Sequence, residues 1–250
     1  MHPNIVQFKV YGEYALFSDP ITRIGGEKCS YLIPTYEAVK GIMHSVYWKP
    51  SIIWYIDKIR VMNPIQTETK GVRPLKWTGG NDLSYYTYLK DCCYQVQAHF
   101  EPNRNRPELE EDSKNENKHY TIARRSIIRG GRRDIFLGSR ECQCYVEPCV
   151  FGEGDGAYDR DDFTELSFGL MYHGLTYPDE AYSEETKGCL TKRFFYPVMK
   201  KRGIIKFPRP EDCKVTEFVR QMNMKKFGKA EGNFIGLEEF NESEFEEVNT

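Results

Sequence analysis

The sequence lacks most of the short motifs that identify common enzyme classes. No glycine-rich phosphate loop, no GxSxG nucleophile motif and no paired-carboxylate metal motif occurs in its 250 residues. Its eight cysteines form no CxxC pair, which argues against a zinc site of the usual spacing. The acidic run at 152–162 lacks the spacing and the closing glutamate of an EF-hand, so we interpret it as a linker or exposed turn. The sequence therefore predicts no metal and no cofactor.

A signal peptide and an apolar run long enough to span a bilayer are also missing. We therefore expect a cytoplasmic protein without a membrane partner, whose cysteines are buried thiols in a reducing compartment. The chain has 17 tyrosines and 15 phenylalanines, so it has ample apolar material for a core.

Net charge is small, with 35 lysines and arginines against 37 acids. That balance argues at first against a nucleic-acid partner, but it conceals a segregation of charge. Residues 118–140 hold seven bases and one acid, Asp134, whereas residues 231–250 hold seven glutamates and no base. We interpret 231–250 as an acidic, flexible tail, with a partner-facing segment as the alternative. The local basic segment indicates a polyanionic partner better than the mean charge does.

The stretch NKHYTIARRSIIRGGRR, residues 117–133, predicts a basic amphipathic helix. Its apolar or small residues recur at helical spacing at Ile122, Ala123, Ser126 and Ile127. Two glycines at 130–131 provide a C-terminal stop, and the arginines then occupy the solvated face. Lys118 and His119 fall in the first turn, where the helix dipole disfavours additional positive charge and tends to keep the imidazole neutral. The alternative is an ordinary solvated basic face.

The remaining pattern predicts an α+β fold. Strands are predicted at 5–11, 51–62, 83–100 and, in two pieces, 135–137 and 141–150, with a helix at 36–48 before the basic one. This βαββαβ order predicts a ferredoxin-like, RRM-like domain over residues 1–150, although the aromatic RNP1 signature of RNA-recognition domains is absent. Strands at 166–175 and 189–198, with a short helix around 215–224, predict a small antiparallel β-sheet C-terminal domain over residues 151–230.

Basic residues also occur outside the predicted helix. Residues 63–82 predict a protruding loop or hairpin, and the loop at 12–34 carries two further bases. Trp77 either stacks on a nucleotide base or anchors its own loop. The candidates for contacts with RNA in these two regions are Arg23, Lys28, Lys70, Arg73, Lys76 and Trp77. Those of the helix are Arg124, Arg125, Arg129, Arg132 and Arg133, of which Arg132 and Arg133 alternatively brace the fold beside Asp134.

One histidine has a context suited to chemistry on RNA. Of the five histidines, only His119 follows a lysine and precedes five arginines. A ribonuclease that works without metal needs a base for the ribose 2′-hydroxyl, a donor for the departing 5′-oxygen and a cation for the charge on phosphate. Histidine, tyrosine and lysine can supply all three, and His119 is the candidate base.

Four strings resemble a known family: IVQFKVYGEYALFSDP, PTYEAVKGIMHSVYWKP, HYTIARRSIIRGGRRDIFLGSREC and YVEPCVFGEG. Together they span most of residues 4–154. The sequence is similar to the RAMP-type CRISPR-associated subunit of type I-C systems, which processes precursor CRISPR RNA. The C-terminal hundred residues match the family more loosely.

The resemblance implies an activity, partners and a site. It implies metal-independent cleavage at the 3′ base of the repeat hairpin, after which the subunit stays on the crRNA 5′ handle within a Cascade complex of other type I-C subunits. The family's catalytic tyrosine corresponds to Tyr47, and its lysine–histidine pair to Lys118 and His119. We assign His119 as base, Lys118 as phosphate stabiliser and Tyr47 as orienting or proton-donating group. The roles of Lys118 and Tyr47 can be exchanged.

Three other functions compete with this one. The strongest is a non-catalytic subunit that binds the RNA 5′ end in Cascade while another nuclease cuts. A second is a nucleic-acid-binding module with no link to CRISPR. A metal-dependent DNase is weaker, because the acids at 108–116 and 153–162 resemble linkers. The basic surface also suits duplex DNA as a secondary ligand.

Overall fold

The structure, a computed structural model, describes residues 4–224, so the predicted tail at 231–250 lies outside the described residues. Three α-helices are present in this part: α1 (Tyr36–Val46), α2 (Glu110–Ser113) and α3 (Glu116–Ile128). The first strands are β1 (Ile5–Ala15), β2 (Ile52–Val61), β3 (Gln66–Val72) and β4 (Ser84–Pro102), followed by β5 (Ile135–Phe136) and β6 (Gln143–Pro148). The last strands are β7 (Leu166–Ser167), β8 (Met171–Thr176), β9 (Cys189–Phe195), β10 (Val198–Lys200), β11 (Ile204–Lys206) and β12 (Val215–Gln221).

The strands form two antiparallel sheets. The main sheet has nine strands in the order β5-β6-β1-β4-β2-β11-β10-β7, with β3 paired to the first half of β4. The second sheet has the order β12-β9-β8. The mixed α and β composition with antiparallel sheets confirms the α+β prediction at this level. The strands that follow residue 150 contribute to both sheets, so the boundary at 150 stays a prediction.

One face of the main sheet is covered by α1 and α3. Val6, Phe8 and Val10 alternate along β1 and are buried, because successive side chains of a strand point to opposite faces. Helix α1 begins where the Thr35 side chain accepts a hydrogen bond from the Ala38 amide, and it buries an apolar stripe against the same face. The two helices contact each other as well as the sheet, which brings the end of α1 close to the start of α3.

Three predicted elements were wrong in detail. The predicted strand 166–175 is divided into β7 and β8, and the predicted strand 189–198 into β9 and β10, and in each case the two pieces join different sheets. The predicted helix at 215–224 is strand β12, which pairs with β9. Its apolar residues have helical spacing, but the backbone pairing with β9 decides the conformation, and all seven residues of β12 remain exposed.

The run at 152–162, predicted to be a linker or exposed turn, is a loop built around a buried arginine. Arg60 of β2 is 0% exposed. Its guanidinium donates to the Glu153, Gly154 and Arg202 carbonyls and pairs with Asp159 at 2.7 Å. A buried guanidinium needs such partners because its charge is costly to remove from water. Arg60 therefore attaches this loop to the main sheet.

Candidate active site

The tyrosine and the histidine predicted to be catalytic are in direct contact. Tyr47 follows α1 in an extended conformation, and its hydroxyl lies 2.8 Å from Nδ1 of His119 in the first turn of α3. The indole of Trp54 donates to the Tyr47 carbonyl at 2.9 Å, and Phe100 packs edge-on against the imidazole. The side chains are therefore held by β2 and β4 beneath the two helices.

The other ring nitrogen of His119 is also bonded. Nε2 lies 2.8 Å from the main-chain oxygen of Asp112 in α2. Because a carbonyl oxygen can only accept, Nε2 carries a hydrogen, and in a neutral ring Nδ1 accepts from the Tyr47 hydroxyl. His119 is 0% exposed and Tyr47 is 1% exposed. Burial raises the pKa of Tyr47 to about 12, so its phenol is protonated at neutral pH.

Lys118 lies beside this pair but points to solvent. Its amino group is 2.5 Å from one Asp112 carboxylate oxygen, while Ser51 donates to the other oxygen at 2.6 Å. The hydrogen bond from Lys118, followed by that from Ser51, lowers the pKa of Asp112 to about 2. The Asn115 side chain accepts from the Lys118 amide and begins α3. Asp112 thus contacts Lys118, Ser51 and His119, each through a different one of its oxygen atoms.

Asp112 and Ser51 were missed at the level of the sequence. The acids at 108–116 resembled a linker, and no motif connects a serine at the start of β2 with an aspartate 61 positions later. His119 itself lies on the buried stripe of α3 with Ala123 and Ile127, at spacings of four residues. That spacing was visible in the sequence and could have predicted the burial of the imidazole.

The five candidate arginines form an exposed group that we call the helix patch: Arg124, Arg125, Arg129, Arg132 and Arg133. Within residues 4–224 no ion pair involves any of them, and Arg132 and Arg133 are not paired with Asp134. Helix α3 ends as predicted at the two glycines. Gly131 has φ +107°, and a Cβ there would lie 2.6 Å from Ile135 Cδ1. The Arg132 and Arg133 amides then donate to the Ser45 carbonyl of α1.

The other candidates lie on the β3–β4 hairpin and on the loop before α1, which bridges to β4 between Cys29 and Thr87. We call them the hairpin patch: Arg23, Lys28, Lys70, Arg73, Lys76 and Trp77. Residues 63–82 do form a hairpin with β4, as one of the predicted alternatives. Lys70 lies over the Tyr14 ring and Lys28 over the Tyr86 ring, while Lys76 lies 3.6 Å from Asp82. Trp77 is fully exposed, so it does not anchor its own loop.

Residues 4–224 contain no cluster of three or more histidine, cysteine, aspartate or glutamate side chains arranged to hold a metal ion. No helix in the same range is both long and apolar enough to cross a membrane.

Known proteins resemble this chain over most of its length. A family model described as CRISPR-associated protein (Cas_Cas5) matches residues 5–208. A Mannheimia succiniciproducens protein named CRISPR pre-crRNA endoribonuclease Cas5d is 28% identical over an alignment of 170 residues, which covers 59% of this chain and 68% of the relative. A Thermus thermophilus protein of the same name is 26% identical over 173 residues, 62% of this chain and 69% of the relative.

Solved structures also resemble this chain over most of its length. A crystal structure of a CRISPR-associated protein has a TM-score of 0.70 and 32% identity, covering 85% of this chain and 96% of its own. A functionally uncharacterized Streptococcus mutans protein has a TM-score of 0.68 and 35% identity, again covering 85% of this chain and 96% of its own. Since the family model alone covers far more than half of the sequence, the chain belongs to the Cas5 family of CRISPR-associated proteins.

Proposed function

We propose that the protein is a metal-independent endoribonuclease that cleaves precursor CRISPR RNA at the 3′ base of the repeat hairpin. The 2′-hydroxyl attacks the adjacent phosphorus, the bond to the 5′-oxygen breaks, and the products carry a 2′,3′-cyclic phosphate and a 5′-hydroxyl. The names of the two curated relatives support the reaction class and the substrate. The observation that carries the proposal is the 2.8 Å contact between the Tyr47 hydroxyl and His119, with Lys118 adjacent.

Each of the three residues has a distinct role in this mechanism. His119 takes the proton of the 2′-hydroxyl, and Lys118, whose side chain is 45% exposed, neutralises charge that builds on the phosphate. Tyr47 orients the imidazole through its hydrogen bond or donates the proton that the departing 5′-oxygen takes up. The raised pKa of Tyr47 supports a donor or orienting role, because a phenol that stays protonated at neutral pH is a poor base.

The basic patches suit the recognition of a hairpin RNA by its shape and its phosphates. The helix patch continues α3 directly from the candidate catalytic residues. Its arginines, exposed and without an ion pair in residues 4–224, supply salt-sensitive affinity. We assign the hairpin patch to further contacts with the RNA, with Trp77 available to stack on a base. Duplex DNA is a secondary ligand of the same surfaces.

We propose that the product stays bound by its 5′ handle and that the protein acts in the cytoplasm as a subunit of a type I-C Cascade complex. The ferredoxin-like arrangement is proposed for residues 1–150, where strands β6, β1, β4 and β2 lie side by side under two helices. The smaller β-rich unit is proposed for residues 151–230, of which β8, β9 and β12 make up the second sheet.

A second candidate is a non-catalytic subunit that binds the RNA handle. The observation in its favour is the complete burial of His119, whose two ring nitrogens are both occupied by protein groups. This alternative predicts binding of the repeat hairpin without cleavage.

Cleavage of a short repeat hairpin RNA in EDTA distinguishes the two candidates. Beside it, the same RNA is tested with a 2′-deoxy nucleotide at the scissile position. We expect cleavage of the first RNA only, because the 2′-hydroxyl is the nucleophile. Tight binding of both RNAs without cleavage of either would establish the handle-binding subunit instead.

A further inference from the structure

Every proton-transferring atom of the candidate site already has a partner within the protein. Tyr47 bonds His119 Nδ1, and Nε2 bonds the Asp112 carbonyl, each at 2.8 Å. A base must come within about 3 Å of the hydroxyl that it deprotonates. Since His119 is 0% exposed, a ribose 2′-hydroxyl does not reach the imidazole in this arrangement.

The Asp112 carbonyl also sets the position of the imidazole hydrogen. It requires a hydrogen on Nε2, so the ring has no lone pair at the nitrogen that faces α2. Without this carbonyl the hydrogen can reside on Nδ1 and be donated to the Tyr47 oxygen. Nε2 then has a free lone pair, which is what a base needs. Displacement of Asp112 would therefore expose Nε2 and permit its basic tautomer.

Helix α2 is a single turn. Apart from the local pair between Glu110 and Lys114, the described side-chain hydrogen bonds between α2 and the rest of the fold all end at Asp112. They come from Ser51, Lys118 and His119. The chain before α2 is fixed more firmly: the Asn103 amide group donates to the Pro50 carbonyl, and that of Asn105 to the Ala181 carbonyl. The Asp112 carboxylate thus holds this short turn against the fold through two contacts, with Ser51 and Lys118, which together we call the clasp.

The clasp includes the residue that an RNA phosphate would bind. Lys118 is 45% exposed and its ion pair with Asp112 is accessible to solvent on one side. A phosphate that approaches Lys118 competes with the Asp112 carboxylate for the same ammonium group and repels it, because the two anions have like charge.

We propose that α2 is a cover over the His119 imidazole, and that a substrate phosphate opens it by taking Lys118 from Asp112. This inference rests on the proposed function and adds two residues to it. Asp112 is a positioning residue that keeps His119 in the inactive tautomer, and Ser51 helps to hold it there. The base is released only where an RNA phosphate occupies Lys118.

A Ser51→Cys, Asp112→Cys double variant tests the cover by locking it. The Ser51 hydroxyl and an Asp112 carboxylate oxygen are 2.6 Å apart, so the two side chains point towards each other, and a cysteine sulfur at 112 would take the place of the carboxylate carbon next to that oxygen. Oxidised, the variant should bind the hairpin RNA but cleave it about 100-fold more slowly or worse, which is the contribution of a positioned base. Reduction should restore cleavage. The Ser51→Cys single variant, oxidised in the same way, controls for the eight native cysteines.

The outcomes separate the cover from the proposed function. Equal cleavage rates for the oxidised and the reduced double variant, with the disulfide confirmed by mass spectrometry, would contradict the proposal that α2 covers His119. So would a reduced double variant that fails to cleave while the unmodified protein cleaves, because the two residues would then act in the chemistry. Absence of cleavage by the unmodified protein would refute the proposed function. A second measurement, which does not depend on cleavage, then tests whether α2 covers the His119 imidazole.

That measurement is deuterium exchange at the His119 imidazole Cε1, read in the tryptic peptide of residues 119–124. An Asp112→Asn variant keeps the shape of the turn but removes the charge that holds Lys118, so exchange should become about fivefold faster. Glu111→Gln removes an exposed charge from the same turn and should leave the rate unchanged. Equal rates in the unmodified protein and Asp112→Asn would contradict the cover.

Discussion

The imidazole of His119 is both the candidate base and a buried structural group. His119→Ala should abolish cleavage and leave RNA binding nearly intact, because the arginines of the helix patch are unaffected. It should also reduce the free energy of unfolding by about 2–4 kcal/mol, since the Tyr47 hydroxyl and the Asp112 carbonyl lose their partner and a cavity forms. Single-turnover cleavage, gel-shift binding and urea unfolding measure the three effects. The exposed Asn117 in the same turn is the control, as Asn117→Ala. An equal loss of binding in His119→Ala would contradict the assignment.

A second histidine, on the opposite face of the sheet, should make stability depend on pH. His99 lies 2.7 Å from Asp57 and 3.4 Å from Glu101. Burial by itself lowers the pKa of His99, but the hydrogen bond with Asp57 and the charges of both carboxylates outweigh it and raise the pKa above its ordinary value. A raised pKa means that the folded state favours the protonated ring. The stabilisation is therefore complete below the unfolded-state pKa and is lost as pH rises through the folded-state pKa.

The free energy of unfolding of His99→Gln, compared with the unmodified protein, checks this sign. We expect the difference to be largest near pH 5.5 and to shrink towards pH 8.5, because the ordinary pKa of histidine is about 6.5. Urea unfolding at several pH values gives the difference. A difference that grows with pH would show that the neutral ring is favoured instead.

At the scale of the elements, α3 combines the site with the helix patch. Arg129→Ala should weaken RNA binding and reduce the slope of log affinity against log salt by about 1, because each phosphate contact releases counterions. The cleavage rate at saturating RNA should change little, since Arg129 does not contact Tyr47, Lys118 or His119. Lys187→Ala is the matched control, because Lys187 has the same charge but is paired with Glu184 beside the second sheet. A salt slope that remains unchanged in Arg129→Ala would remove this residue from the interface.

The elements that could be predicted from sequence are those with strong local patterns. The C-terminal end of α3 follows from Gly130 and Gly131, and β1 follows from its alternation. Tyr47 and His119 were brought together as candidates by family resemblance, since no spacing along the chain relates residues 72 positions apart. Strand β12 could not be predicted, because its partner β9 determines its conformation while its own residues have helical spacing.

At the scale of the whole molecule, a buried polar cluster connects α1 with the second sheet. Lys40 of α1 is 3% exposed and pairs with Glu180, and Arg193 of β9 lies near Glu37 and bonds Thr176. Desolvation raises the pKa of Glu37, the first carboxylate of α1. A buried charge is stabilised only where an opposite charge or a hydrogen-bonding group lies next to it, so specific ion pairs attach the second sheet to α1.

Lys40→Ala should therefore be strongly destabilising, by about 3–5 kcal/mol, because it leaves the Glu180 carboxylate without its buried partner. Lys9→Ala provides the comparison: the Lys9–Glu147 pair lies on the surface, with side chains 36% and 48% exposed. Its removal should cost at most about 1 kcal/mol. Urea unfolding measures both variants, and equal effects would show that the buried pair is not needed to join the sheet to α1.

The pairing of β11 with β2 has a consequence for synthesis of the chain. Strand β2 is complete at Val61, but the strand that covers its free edge ends at Lys206, and Arg60 gains its last carbonyl partner only at Arg202. A growing chain that has emerged only to the end of β6 thus leaves this edge of β2 unpaired and the Arg60 guanidinium without its carbonyl partners. An unpaired strand edge can form backbone hydrogen bonds with strands of other chains, which leads to aggregation. The main sheet of this protein is therefore completed late in translation, when most of the polypeptide has left the ribosome.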